Sequence, residues 1–89
     1  MGKRQGNNKS PQQEVITDLR VIGRRIREIR GFDLTQADFA RILGIGQTQL
    51  SKYELGQSAP TLDILLRLKT YGGRTIDWIV TGKDEGSKS

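Results

Sequence analysis

The chain has 89 residues, with 15 Lys and Arg against 10 Asp and Glu, and neither Cys nor His. That length fits one domain, and the missing residue types exclude disulfides, thiolate or imidazole metal sites, and the Ser-His and Cys-His pairs of nucleophilic catalysis. A net charge of +5 favours a polyanionic partner, although charge alone does not separate a nucleic-acid surface from an ordinary solvated basic one.

Residues 1–13 carry no apolar side chain after Met1 and cannot contribute to a core. They are expected to form a disordered basic arm, either a solubilising tail or an arm that touches DNA. No apolar run approaches the roughly 18 residues of a membrane span, and no signal peptide is apparent. The ordered domain is expected over 14–82, with a flexible tail over 83–89.

Val15, Ile16, Leu19, Ile22, Ile26 and Ile29 recur at spacings of three and four, which predicts a first helix with one buried face and Gly31 as its stop. Arg20, Arg24, Arg25, Arg27 and Arg30 fill its other faces, a density found more often on solvated surfaces than in binding sites. Thr35 with Asp38 three residues on reads as the capped start of a second helix over 36–43. Gly44 supplies the left-handed residue that ends it. A three-residue turn then leads to a third helix from Gln47 to about Leu55, which is the outline of a helix-turn-helix.

Thr61 caps a fourth helix whose Leu62, Leu65, Leu66 and Leu68 are expected to supply core, and Gly72 and Gly73 break it. Thr75 starts a short fifth helix with Ile76, Trp78, Ile79 and Val80, ended by Gly82. Five helices and no alternating strand pattern predict an all-α fold.

On the third helix, Gln47, Thr48, Ser51 and Lys52 fall within an arc of roughly 140°, opposite Leu50 and Tyr53. This face is polar, ends in a cation and contains no carboxylate. Gln pairs bidentately with adenine N6 and N7, Lys reaches guanine O6 and N7, and Thr offers a methyl to thymine. Any one of these residues on an arbitrary helix is more often an ordinary solvent-facing side chain; together they fit a reader of the major groove. The carboxylates are scattered without a cluster, so no enzyme, catalytic residue, metal or cofactor is expected.

The run from Leu34 to Gly56, with Thr35, Gln36, Ala40, Gly44, Leu50, Ser51, Tyr53, Glu54 and Gly56 in register, followed by Pro60 and the ending Ile76 to Gly82, resembles the phage repressor and Cro-type, or Xre, helix-turn-helix family. The resemblance covers roughly residues 19–82. It implies a compact five-helix lambda-repressor-like domain, with Phe39, Leu43, Ile45, Leu50 and Tyr53 buried and Ala40 small where two helices cross. It further implies that Gln36 contacts the phosphate backbone and braces Gln47, that Gly46, Gln47, Thr48 and Lys52 approach bases, and that Ser51 lies near the backbone.

In the same family Arg30 and Glu54 form a structural ion pair. The implied function is sequence-specific binding of double-stranded DNA by a transcriptional regulator, a repressor, acting as a homodimer on a palindromic operator in a bacterial or phage-type cytoplasm. The alternative is a protein-interaction module such as an antitoxin or coregulator. Lys69, Tyr71 and Gly72 stand where the family usually has Ala, Ala and Leu, and Arg74 where it often has Val. These departures predict looser packing between the fourth and fifth helices and a reshaped dimerisation surface.

Overall fold

The computed structural model describes residues 18–83. The expected arm over 1–13, the apolar residues Val15 and Ile16, and the tail beyond Lys83 lie outside the described residues. Those described form α1 (Leu19–Arg30), α2 (Gln36–Leu43), α3 (Gln47–Glu54), α4 (Leu62–Gly72) and α5 (Ile76–Thr81), with no strand among them.

Four of the helices begin where a short polar side chain takes up an orphan amide of the first turn. Asp18 accepts from the Arg20 amide, Thr35 from Asp38 at 3.1 Å, Thr61 from Ile64 at 3.3 Å and Thr75 from Trp78 at 2.9 Å. The exception is α3, whose cap residue Gly46 offers no side chain.

Both helices of the central pair end in the same way. After α2, Gly44 turns to φ 76°, the Ile45 amide donates to the Ala40 carbonyl at 2.9 Å, and the Gly44 amide donates to Arg41 at 3.1 Å. After α3, Gly56 turns to φ 77°, while Gln57 donates to Lys52 at 2.8 Å and Gly56 to Tyr53 at 3.1 Å. These crossed bonds satisfy the last carbonyls and reverse the chain. A Cβ is strained at either glycine.

The core is built from Ile22 and Ile26 of α1, Phe39, Ala40 and Leu43 of α2, Leu50 and Tyr53 of α3, Ile64 and Leu68 of α4, and Ile79 of α5. Ile45 is only partly buried against it. α1 lies so close to the end of α3 that a Cβ on Gly23 falls 2.4 Å from the Glu54 carbonyl oxygen and 2.5 Å from that of Tyr53.

The sequence-based core of α4 needs correction. Leu62 and Leu66 are exposed, Leu65 is half-buried, and Ile64 joins Leu68 inside. A helix apolar on most of its circumference does not reveal which side faces inward. Its neighbours α1, α2 and α5 decide that, and they meet the 64 and 68 side.

Three of the departures noted after Leu68 find partners, Tyr71 on α2, Gly72 on α1 and Arg74 on α5. The Tyr71 ring tilts against Phe39 with centroids 5.2 Å apart, and Arg74 stacks 3.6 Å over the Trp78 ring. Gly72 gives room to Ile29, whose Cγ2 is 2.7 Å from where a Cβ would sit. An aromatic contact to α2 and a cation-π contact to α5 thus stand in place of aliphatic side chains.

Candidate functional site

The face of α3 is set by its two anchors. With Leu50 wholly buried and Tyr53 nearly so, the helical repeat turns Gln47, Thr48 and Lys52 to solvent and leaves Ser51 half-buried. Gln36, at the start of α2, and Gln57, just past the end of α3, join them as walls of one shallow groove. Its lining is amide, hydroxyl and one ammonium, with no carboxylate.

Gly46 stands exposed at the start of α3, and no Cβ contact lies within 4 Å of it. Because the first-turn amides of α3 receive no side-chain cap, that end of the helix presents unsatisfied donors and a partial positive charge. The surface thereby combines donors, acceptors and positive potential.

Behind it lies a buried charge network. The Arg30 guanidinium donates from Nε to Glu54 Oε2 at 2.9 Å and from Nη2 to Oε1 at 3.0 Å, and its Nη1 donates to the Leu34 carbonyl at 3.0 Å. The side chains are 15% and 3% exposed. Gln36 adds a fourth bond, from Nε2 to Glu54 Oε1 at 2.9 Å. The bidentate arrangement fixes the end of α1 to the end of α3 and the start of α2 at once.

In this structure the Gln36 side chain is bonded to Glu54, and among the described residues no hydrogen bond joins it to Gln47. A carboxylate is the stronger acceptor for an amide proton than another amide oxygen.

Gln36, Gln47, Thr48, Ser51 and Lys52 line one groove, Gly46 stands exposed at the start of α3, and Arg30 and Glu54 form the ion pair to which Gln36 is bonded. Gln57 was not singled out from sequence. The left-handed turn at Gly56 returns the chain so that the Gln57 amide meets Lys52, and the glycine following the helix was the local signal.

Two other features of the described residues bound the chemistry. No group of three His, Cys, Asp or Glu is placed to hold a metal. No helix is long and apolar enough to cross a membrane.

A family model described as Helix-turn-helix matches residues 24–79. The HTH-type transcriptional regulator ImmR of Bacillus subtilis is 39% identical over 70 residues, covering 75% of this chain and 53% of that protein. Antitoxin PezA of Streptococcus pneumoniae is 44% identical over 46 residues, covering 51% of this chain and 29% of that protein. The chain thus spans about half or less of the length of these curated relatives. The P22 c2 repressor, solved in complex with a synthetic operator, matches with a TM-score of 0.65 at 25% identity, over 71% of this chain and 97% of that one.

Proposed function

The chain belongs to the helix-turn-helix family, and on that premise we propose that it binds duplex DNA sequence-specifically, with α3 in the major groove, to regulate transcription as a repressor. The observation that carries this reading is the outward face of α3. Four polar side chains without a carboxylate are held at fixed angles by two buried anchors.

In this reading Gln47 pairs with an adenine edge, Lys52 reaches a guanine or a phosphate, Thr48 meets a thymine methyl, and Ser51 lies by the backbone. Gly46 allows close approach of the main chain, and Gln36 positions a phosphate with the part of its amide that Glu54 leaves available. A homodimer places two such helices about one helical turn apart on a palindromic operator. The site of action is then intracellular, on DNA.

Selection from random duplex DNA, followed by salt titration, tests this directly. An enriched palindrome is expected, with affinity falling steeply as salt rises. Gln47→Ala is expected to cost about 1–3 kcal/mol at one base-pair position and far less on random DNA. Equal loss on both would refute readout by Gln47.

One observation favours a second, compatible reading as a protein-interaction module. Ile42, Leu66 and Tyr71 are exposed and line a single apolar groove between α2 and α4, a surface suited to a protein partner. In that case Leu66→Glu abolishes partner copurification while operator binding persists.

A further inference from the structure

The arginines of this domain are not equivalent. Among the described residues, Arg20, Arg30, Arg41 and Arg67 each pair with a carboxylate. Arg25 donates to the Ile79 carbonyl at 3.1 Å, and Arg74 lies on the Trp78 ring. Arg24 and Arg27 alone among the described arginines have no ion pair, no side-chain hydrogen bond and no cation-π contact to another described residue, and both are exposed.

They are three residues apart on α1, so their side chains leave the helix within about 60° of each other, on the side away from the Ile22 and Ile26 stripe. Together with Glu28, Arg30, Gly31 and Phe32 they line a groove of about 450 Å³. Phe32 is wholly exposed, which a loop aromatic beside unpaired cations does not need for folding.

The buried Arg30–Glu54–Gln36 network links this groove to the α3 groove. Arg30 lines the first, Gln36 lines the second, and both donate to Glu54. The unpaired arginines thus lie one buried ion pair away from the α3 surface, on its Gln36 side.

We propose that Arg24 and Arg27, beside the Phe32 ring, bind the phosphodiester backbone just outside the base pairs that α3 reads. This rests on the duplex reading above. Set three residues and about 4.5 Å of rise apart on one face of α1, the two long guanidinium side chains can each take a phosphate of the same strand. Each fork matches phosphate oxygens bidentately. The Phe32 ring lies against deoxyribose carbons, and Glu28, the one carboxylate of the groove, keeps the strand on the arginine side.

An acidic protein surface would use the same charges, but the link through Glu54 to the α3 groove favours the nucleic acid. The test uses the full chain and a duplex chosen by selection, made in two lengths. One ends at the last base pair read, and the other carries about six extra base pairs on each side. Neutralising two phosphates steepens the dependence of log affinity on log salt by about 1.8 per protomer, so between 50 and 200 mM salt the longer duplex is expected to lose, relative to the short one, about tenfold more affinity for each protomer bound and about a hundredfold for the homodimer.

Arg24→Ala with Arg27→Ala is expected to erase that difference and leave short-duplex affinity and the thermal melt unchanged, while R24K with R27K retains it. Equal slopes on the two lengths for the unaltered chain, the outcome expected of a groove made for an acidic protein, overturn the proposal. So does an alanine pair that keeps the extra slope. Tight short-duplex binding without a flank effect sinks this inference alone, whereas absence of any selected duplex sinks the duplex reading as well.

Discussion

Glu54→Gln separates charge from shape at the centre of the molecule. The carboxylate accepts three hydrogen bonds, at 2.9 and 3.0 Å from Arg30 and 2.9 Å from Gln36, with its side chain 3% exposed. The amide that replaces it keeps one acceptor oxygen. If that oxygen takes the Oε1 position it still serves Arg30 Nη2 and Gln36, but the new amide group then points N–H at the Nε donor of Arg30.

One charge-assisted bond is lost, two donors are opposed, and a guanidinium only 15% exposed is left without its counter-charge. Losing one partner of a buried pair costs about 3–5 kcal/mol, and because Arg30 keeps the Leu34 carbonyl and some water we place the loss near 3 kcal/mol. At about 4–8 °C per kcal/mol for a domain of this size, Tm falls on the order of 15 °C.

Urea and thermal unfolding of the unaltered chain, Glu54→Gln, Arg30→Met and the double variant read this out. The double variant is expected to be more stable than the sum of its parts, because no unpaired charge remains. A loss below about 0.5 kcal/mol for Glu54→Gln, or strict additivity, refutes the account.

Gly23→Ala gains helix propensity yet is expected to destabilise by more than about 2 kcal/mol in urea, since its Cβ meets two backbone oxygens that no side-chain rotation can move. Gly46→Ser adds the missing cap of α3 at a φ of −77°; a gain of a few tenths of a kcal/mol in stability with weaker binding to the selected duplex is expected, and a rise in both contradicts close approach at Gly46. The Asp38 carboxyl is held below the usual carboxylate range by the Thr35 hydroxyl first and by Arg41 second. Its folded form thus binds its proton more weakly than the unfolded chain does. The stability it contributes is present at neutral pH and lost as pH falls through that lowered value, so Tm of Asp38→Asn is expected to approach that of the parent at strongly acid pH.

Features set by neighbours in sequence were legible. Thr35, Thr61 and Thr75 each cap the helix they were expected to start, because a cap bond spans three residues and depends on little else. The same holds for the turn at Gly44 and for the outward arc of α3, where two anchors leave one choice of phase. What escaped depends on partners far along the chain. Ile64 replaces Leu62 and Leu66 in the core because the packing of other helices selects one side of α4. Arg67 donates to the Leu43 carbonyl at 2.8 Å and Arg25 to Ile79, so arginines 24 and 54 residues away close the ends of α2 and α5. No local pattern announces such contacts, and the hold of Glu54 on Gln36 is of the same kind.

An eight-residue helix with half its surface polar is not stable alone in water. Three contacts on its inner side replace that missing stability: the burial of Leu50 and Tyr53, the close approach of Gly23 to its last carbonyls, and the paired charge of Glu54. None of them uses Gln47, Thr48 or Lys52. The outward side chains are consequently free of any duty to the fold, while the inner ones fix where those side chains point. A groove reader needs that division, since a base edge is discriminated only if the donors and acceptors facing it are already in place before contact.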